Sequence, residues 1–190
     1  FLYYFLAGLI FFLFIIFQIF ISNKKINLFL KYIFILLRSS IFILFVIHTL
    51  GLIARCYISG HAPWSDAYES MIYVSWATMG IGLLFAKKSD LTLASTSFVT
   101  SMILMIAHWN WMDPSIANLV PVLDSYWLMI HVSIIVGSYG PFALGMILGI
   151  VALILMILST KSNSNLIKNK LSEITIINEL ALTIGLVMLT

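Results

Sequence analysis

The chain has 190 residues, 62% of them hydrophobic and 9% charged, and its mean hydropathy is +1.11. A chain of 21.4 kDa with that composition cannot hide its apolar surface inside a water-soluble globule, so a bilayer must act as its solvent. The net charge of +3 does not indicate nucleic acid, because the basic residues sit between apolar runs and report topology, and the single cysteine, Cys56, excludes an internal disulfide or a cysteine-pair metal site.

Apolar runs cover residues 1–22, 32–52, 67–86, 91–107 and 127–158, each near or above the roughly 20 residues that a membrane-spanning helix needs. A sixth run starts at about residue 176 and stops at Thr190 after about half a span, and the first residue is Phe1. The expectation is an all-α, polytopic transmembrane helical bundle with five full spans and a truncated sixth, an internal fragment of a larger protein. Lys24, Lys25 and Lys31 fall in the first connection, Lys87 and Lys88 in the third, and Lys161, Lys168 and Lys170 in the fifth, whereas the second and fourth carry Arg55 alone. The positive-inside rule then puts the odd connections in the cytoplasm and the even ones outside. This predicts a multi-pass membrane protein with its working face outward.

The two outer connections differ in composition from the inner ones. They hold His61, Trp64, Asp66, Glu69, His108, Trp109, Trp111, Asp113, Asp124 and Trp127, and so four of the five tryptophans. A tryptophan belt alone would decorate both membrane faces, and the inner connections have none. In Gly60-His61-Ala62-Pro63-Trp64-Ser65-Asp66, glycine and proline shape a turn and Ser65 or Asp66 can cap the helix that begins near Ala67.

Histidine is the natural place to look for chemistry, as metal ligand and proton carrier. His48 falls late in the second span, where an ionisable group marks either function or a hydrogen bond between helices. His108 stands beside Trp109 and Trp111 as an exposed loop histidine. His131 follows Trp127 by one helical turn, on the same face and about 6 Å further along the axis. A shallow imidazole among aromatic residues suits axial ligation of haem; the same placement also suits a histidine satisfied by a neighbouring helix. Gly145 and Gly149 form a small-xxx-small pair whose natural role is close helix packing. Pro141, after Gly137 and Gly140, predicts a kink or local opening in the fifth span. The nine methionines are scattered, and no phosphate loop, HExxH or nucleophile elbow occurs.

Two stretches, Gly60-His61-Ala62-Pro63-Trp64-Ser65-Asp66-Ala67-Tyr68-Glu69-Ser70 and Val122-Leu123-Asp124-Ser125-Tyr126-Trp127-Leu128-Met129-Ile130-His131-Val132-Ser133, resemble the haem-handling cytochrome c assembly proteins of system II, of the ResC/CcsA type. The likeness runs from about residue 40 to the end and includes Ile177-Asn178-Glu179-Leu180-Ala181-Leu182-Thr183-Ile184-Gly185. It sets residues 1–31 apart as a partner or linker span and residues 32–190 as the ResC/CcsA-like part. The tryptophan-rich WWD segment of the family follows this point and lies beyond residue 190. Trp109-Asn110-Trp111-Met112-Asp113 precedes the histidine instead of following it, so it is not assigned that role.

The resemblance implies a cytochrome c synthase, or haem lyase: haem b is passed to the outer face and joined covalently to the CxxCH segment of apocytochrome c. It implies a ResB/Ccs1-type partner, separate or fused, and no nucleic-acid partner. By the same resemblance His131 is an axial ligand of the haem iron, and Trp127, His61 and Trp64 are candidate haem contacts. No residue is expected to act as a catalytic acid or base, since joining thiols to vinyl groups asks mainly for positioning. Three other readings stay open: a transporter or haem exporter without ligation chemistry, a respiratory haem b subunit, and a scaffold whose outer aromatic residues dock a partner.

Overall fold

The computed structural model describes residues 2–20, 24–86, 88–109, 113–116, 125–161 and 165–190. Among the described residues six helices follow one another: α1 (Leu2–Phe20), α2 (Lys24–Ser59), α3 (Ala67–Phe85), α4 (Asp90–His108), α5 (Tyr126–Lys161) and α6 (Asn165–Leu189). No strand occurs among the described residues. This is the form a chain must take where no water is present to satisfy backbone N–H and C=O groups. Among the described residues four stretches are long and apolar enough to cross a membrane: Lys31–Ser59, Asp90–His108, Tyr126–Thr160 and Ile167–Leu189. α3 is as long as α4, but Glu69, Ser70, Ser75 and Thr78 dilute its hydropathy. In α1 the described apolar stretch is the shorter Leu2–Phe11.

The truncated sixth span is corrected by the structure. α6 is a full helix of 25 residues that starts at Asn165, inside the segment read from hydropathy as a polar connection. Ile167, Ile174, Ile177 and Ala181 are all buried at spacings of seven, three and four. That stripe packs on α5, where Leu144, Leu148, Val151 and Leu155 are buried at spacings of four, three and four. Averaging over Lys168, Asn169, Lys170 and Glu173 hides an amphipathic turn that the period of 3.6 residues reveals.

α4 lies between α1 and α3, and small hydroxyl residues make this closeness workable. Thr92, Ser95, Thr96, Ser97, Thr100 and Ser101 are buried, and most return their hydroxyl to a carbonyl one turn back, as in Ser95 to Leu91 O at 2.9 Å and Thr96 to Thr92 O at 2.6 Å. Such internal bonds let a polar side chain sit between helices without an orphaned donor. Glycines take the facing positions: a Cβ on Gly82 would lie 2.2 Å from Thr96 Cγ2, and one on Gly8 would lie 2.5 Å from Ser97 Oγ. Gly145 likewise meets α6, where a Cβ would approach Leu182 Cδ2 to 2.6 Å, so this member of the small-xxx-small pair serves close packing. α5 runs on as one helix through Pro141.

Two polar ties mark opposite ends of the bundle. Arg38 of α2 pairs with Asp90 at the start of α4, toward the end that carries the lysine-rich connections. Arg55, at the far end of α2, reaches the carbonyls of Pro114 and Ser115 at 3.2 and 3.3 Å. The second and fourth connections therefore meet at one end, here termed the tryptophan end.

Candidate functional site

The turn between α2 and α3 is built locally before it is used. Gly60 adopts φ +70, a left-handed value that favours glycine. Asp66 is the N-cap of α3, its Oδ1 accepting from the Glu69 backbone N–H at 2.6 Å. Glu69 completes the arrangement by accepting from the Ser65 N–H at 3.2 Å, one residue earlier than in an ordinary capping box. Asp66→Ala is expected to lower stability by about 1 kcal/mol through loss of the cap, read as a drop in the thermal midpoint in detergent; an unchanged midpoint would remove the cap from this account.

Arg55 and Glu69 form the centre of this end. Glu69 is 1% exposed, and its Oε1 accepts from Arg55 Nε at 3.0 Å. The Arg55 guanidinium also lies 4.9 Å from the centre of the Tyr68 ring and 4.0 Å from Asp66 Oδ2. One planar cation thus ties the end of α2, the start of α3 and residues 113–116. The last of these is shaped in turn by Asp113, whose Oδ1 accepts from the Ser115 N–H at 2.9 Å. That bond holds the Asp113 carboxyl below its ordinary range, so the turn keeps its acceptor above the ordinary carboxylate pKa and loses it only as pH falls through the lowered value.

His61 is tucked against the same carboxylate. Its side chain is 8% exposed, with Nδ1 3.6 Å from Glu69 Oε2 and 3.2 Å from Ala62 O. Engagement through Nδ1 leaves Nε2 as the nitrogen without a partner among the described residues. Trp64 lies on Tyr73 with ring centres 5.0 Å apart, and its Nε1 is buried without a hydrogen bond to another described residue.

His131 and Trp127 are placed differently, at the start of α5. Both are exposed, Trp127 at 78%, and His131 has no hydrogen bond to another described residue. α5 is anchored to α3 just beyond them, where Tyr73 Oη donates to Ser133 O at 3.3 Å. Thus His131 and Trp127 share the tryptophan end with His61 and Trp64. The structure brings His61 and Trp64 together through Glu69 and Tyr73, and leaves His131 and Trp127 projecting from the neighbouring helix.

The remaining candidates are dispersed. His48 is half-buried in α2, its ring 6.1 Å from that of Tyr4. His108 is the last residue of α4 and is exposed. Trp111, Asp124 and residues 122–124 of the second motif lie outside the described residues. Arg55 and Tyr73, the latter lying on Trp64 and donating to Ser133 O, were missed as site residues. Arg55 read as a topological charge, although a lone arginine in a connection otherwise free of cations, with an acidic residue one turn into the next helix, was a usable signal.

The family model described as Cytochrome C assembly protein matches residues 64–190, two thirds of the chain and all of α3 to α6. The chain belongs to the cytochrome c assembly protein family. It is 48% identical over 147 residues to protein NrfI of Wolinella succinogenes, covering 77% of this chain and 16% of that protein. It is 36% identical over 136 residues to the cytochrome c biogenesis protein CcsA of Daucus carota, covering 66% and 39% of the two chains. With CcsA of Prochlorococcus marinus it shares 30% identity over 145 residues, covering 71% and 46%. The chain thus spans less than half the length of each of these relatives. As a member of this family with several membrane-crossing helices, it is a multi-pass membrane protein of the ResC/CcsA type.

Proposed function

We propose that this chain forms part of the outer haem site of a cytochrome c synthase, acting in cytochrome c maturation, with haem b as substrate and the CxxCH segment of apocytochrome c as acceptor. The observation that carries this reading is His131: an exposed imidazole without a hydrogen-bond partner among the described residues, one turn after an exposed tryptophan, within the part matched by the family. Histidine nitrogen is a natural axial ligand for haem iron, and indole supplies a flat apolar wall. Trp127, with Trp64 and His61 from the α2–α3 turn, would border the ring. A ResB/Ccs1-type partner or fused domain and the remainder of the protein would complete the site. The tryptophan end would then face outward from a bacterial cytoplasmic membrane, or its thylakoid equivalent, in agreement with the lysines gathered at the other end.

The chemistry asks little of acids and bases. Each cysteine thiol adds across a vinyl C=C, sulfur bonding one carbon and the proton passing to the other, with no leaving group and no net oxidation. What the protein must supply is orientation, and an iron ligand together with an aromatic wall does this. The test is the visible spectrum of the full-length parent, with and without His131→Ala. Wild type is expected to show a histidine-ligated haem; the variant is expected to lose most of that signal and to regain part of it with added imidazole, which refills the vacant axial position. Equal haem content and spectrum in both would remove His131 from the ligand role.

A further inference from the structure

Tyr73 stands between the two halves of the tryptophan end. Its ring packs against Trp64 of the α2–α3 turn, with centres 5.0 Å apart, and against Trp76, with centres 5.8 Å apart and planes 21° from parallel. Trp76 is itself stacked on Phe45 at 5.8 Å and 14°, and its Nε1–H donates to Thr49 Oγ1 at 2.8 Å. Phe45, Trp76 and Tyr73 thus form one wall, and a ring gripped in this way has little freedom to swing. From this fixed post the phenol hydroxyl reaches α5, donating to Ser133 O at 3.3 Å. Among the described residues it is the one side-chain hydrogen bond from α3 to α5.

α5 is shaped to receive it. Gly137, one turn after Ser133, leaves the phenol its room: a Cβ there would already touch Tyr73 Oη at 3.5 Å and Cε1 at 3.8 Å, and a longer side chain would crowd the ring. Gly140 meets the α3 backbone directly, since a Cβ there would lie 2.8 Å from the Thr78 nitrogen. Ser133, Gly137 and Gly140 follow at spacings of four and three, so they share the face of α5 that lies on α3. Trp127 and His131 lie on a different face, because the two residues from His131 to Ser133 turn the helix by about 200°. The direction in which His131 stands is therefore set by how the other face is clamped. A side-chain tip lies about 5–6 Å from the helix axis, so a rotation of about 10° carries it about 1 Å, a displacement that can cost an oriented reaction about 100-fold.

We infer that Tyr73 is a positioning residue for the proposed axial ligand: its hydroxyl fixes the rotation of the first turns of α5 and so aims His131, while its ring ties that setting to Trp64. The inference rests on the reading of His131 given above. Tyr73→Phe removes the hydroxyl and keeps the ring, so the packing on Trp64 and Trp76 remains. In the full-length parent it is expected to leave the thermal midpoint close to wild type and to weaken the histidine-ligated haem spectrum several-fold. Added imidazole should recover that signal, as in His131→Ala, because a free ligand does not depend on how α5 is turned. The double variant Tyr73→Phe/His131→Ala should fall no further than His131→Ala alone. Tyr139→Phe, which removes a hydroxyl at an exposed position of the same helix, is the control and should match wild type.

A wild-type spectrum in Tyr73→Phe, with His131→Ala still affected, overturns this inference and leaves the ligand reading standing. A loss that imidazole does not recover also overturns it, since Tyr73 would then support the fold without aiming the ligand. Wild-type protein that neither carries haem nor takes up added hemin defeats the haem reading, and the inference with it. A second measurement needs no haem. Nitroxide labels in Tyr57→Cys/His131→Cys, on a Cys56→Ser background, report the distance from the end of α2 to the first turns of α5. Tyr57 is 89% exposed, so a label there projects outward. Tyr73→Phe is expected to shift or broaden that distance distribution, and an unchanged distribution overturns the inference.

Discussion

Arg55→Ala is expected to destabilise the tryptophan end by about 3–5 kcal/mol, the cost of breaking a buried ion pair and stranding the remaining charge. Glu69 is 1% exposed, and without the guanidinium it would keep only the Ser65 N–H at 3.2 Å and His61 Nδ1 at 3.6 Å. The carbonyls of Pro114 and Ser115 would lose their donors at the same time. Glu69→Gln should cost less, about 1–3 kcal/mol, because a glutamine carbonyl can still accept from Arg55 Nε in place of Oε1, while its NH2 then faces the Ser65 N–H that Oε2 accepted. The double variant should then cost clearly less than the sum of the single ones, since both act on one network. Thermal unfolding of all four proteins in detergent gives the comparison. Additive effects would mean that Arg55 and Glu69 act independently, contrary to the geometry.

This network also bears on the site. Arg55 touches none of the four candidate haem contacts, but through Glu69 it fixes the turn that carries His61 and Trp64. It is a positioning residue in this reading. Haem lost in Arg55→Ala should not return with added imidazole, because the axial ligand is still present and what has moved is the wall. Rescue by imidazole as complete as in His131→Ala would contradict that role.

Gly140→Ala is expected to cost about 1–3 kcal/mol, and Gly140→Leu more, by forcing apart two helices in backbone contact. A Cβ at Gly140 would lie 2.8 Å from the Thr78 nitrogen and 3.0 Å from the Ala77 carbonyl carbon. Main-chain atoms inside a helix cannot swing aside as a side chain can, so α3 and α5 must separate. The same shift would stretch the bond from Tyr73 to Ser133 O, which sets the start of α5, and with it His131, relative to the α2–α3 turn. Gly149→Ala is the contrast: its Cβ would meet Asn178 Nδ2 at 3.9 Å, an ordinary contact, and alanine favours the helix by about 0.5–1 kcal/mol. Midpoints in the reverse order would place the critical crossing of α5 elsewhere.

Several elements were legible from residues alone. The third and fourth apolar runs, 67–86 and 91–107, agree with α3 (Ala67–Phe85) and α4 (Asp90–His108) to within a residue at each end. In hydrocarbon an apolar run of that length has no alternative to closing its hydrogen bonds within itself. The cap on α3 was readable for a similar reason: Asp66 and Glu69 lie three residues apart, and a capping bond needs only local backbone. The start of α6 was not readable from hydropathy, since Ile167 and Ile174 are separated by lysines that outweigh them in any average. The helix forms there because α5 offers a matching stripe.

The sequence by itself determined the membrane class, the positions of most helices, the capped turn around His61 and, through its motifs, the family. Those properties depend on residues within a turn or two of one another, or on composition over about 20 residues. Only the tertiary structure decided that Arg55 belongs to Glu69 and to the carbonyls of residues 114 and 115, that His61 is held while His131 is exposed, and that Phe45, Trp76 and Tyr73 share one wall. These facts depend on how helix ends meet and how far α2 and α3 diverge. Charges 14 residues apart, or rings on different helices, come together only when the small residues of α3, α4 and α5 have fixed how closely the helices approach.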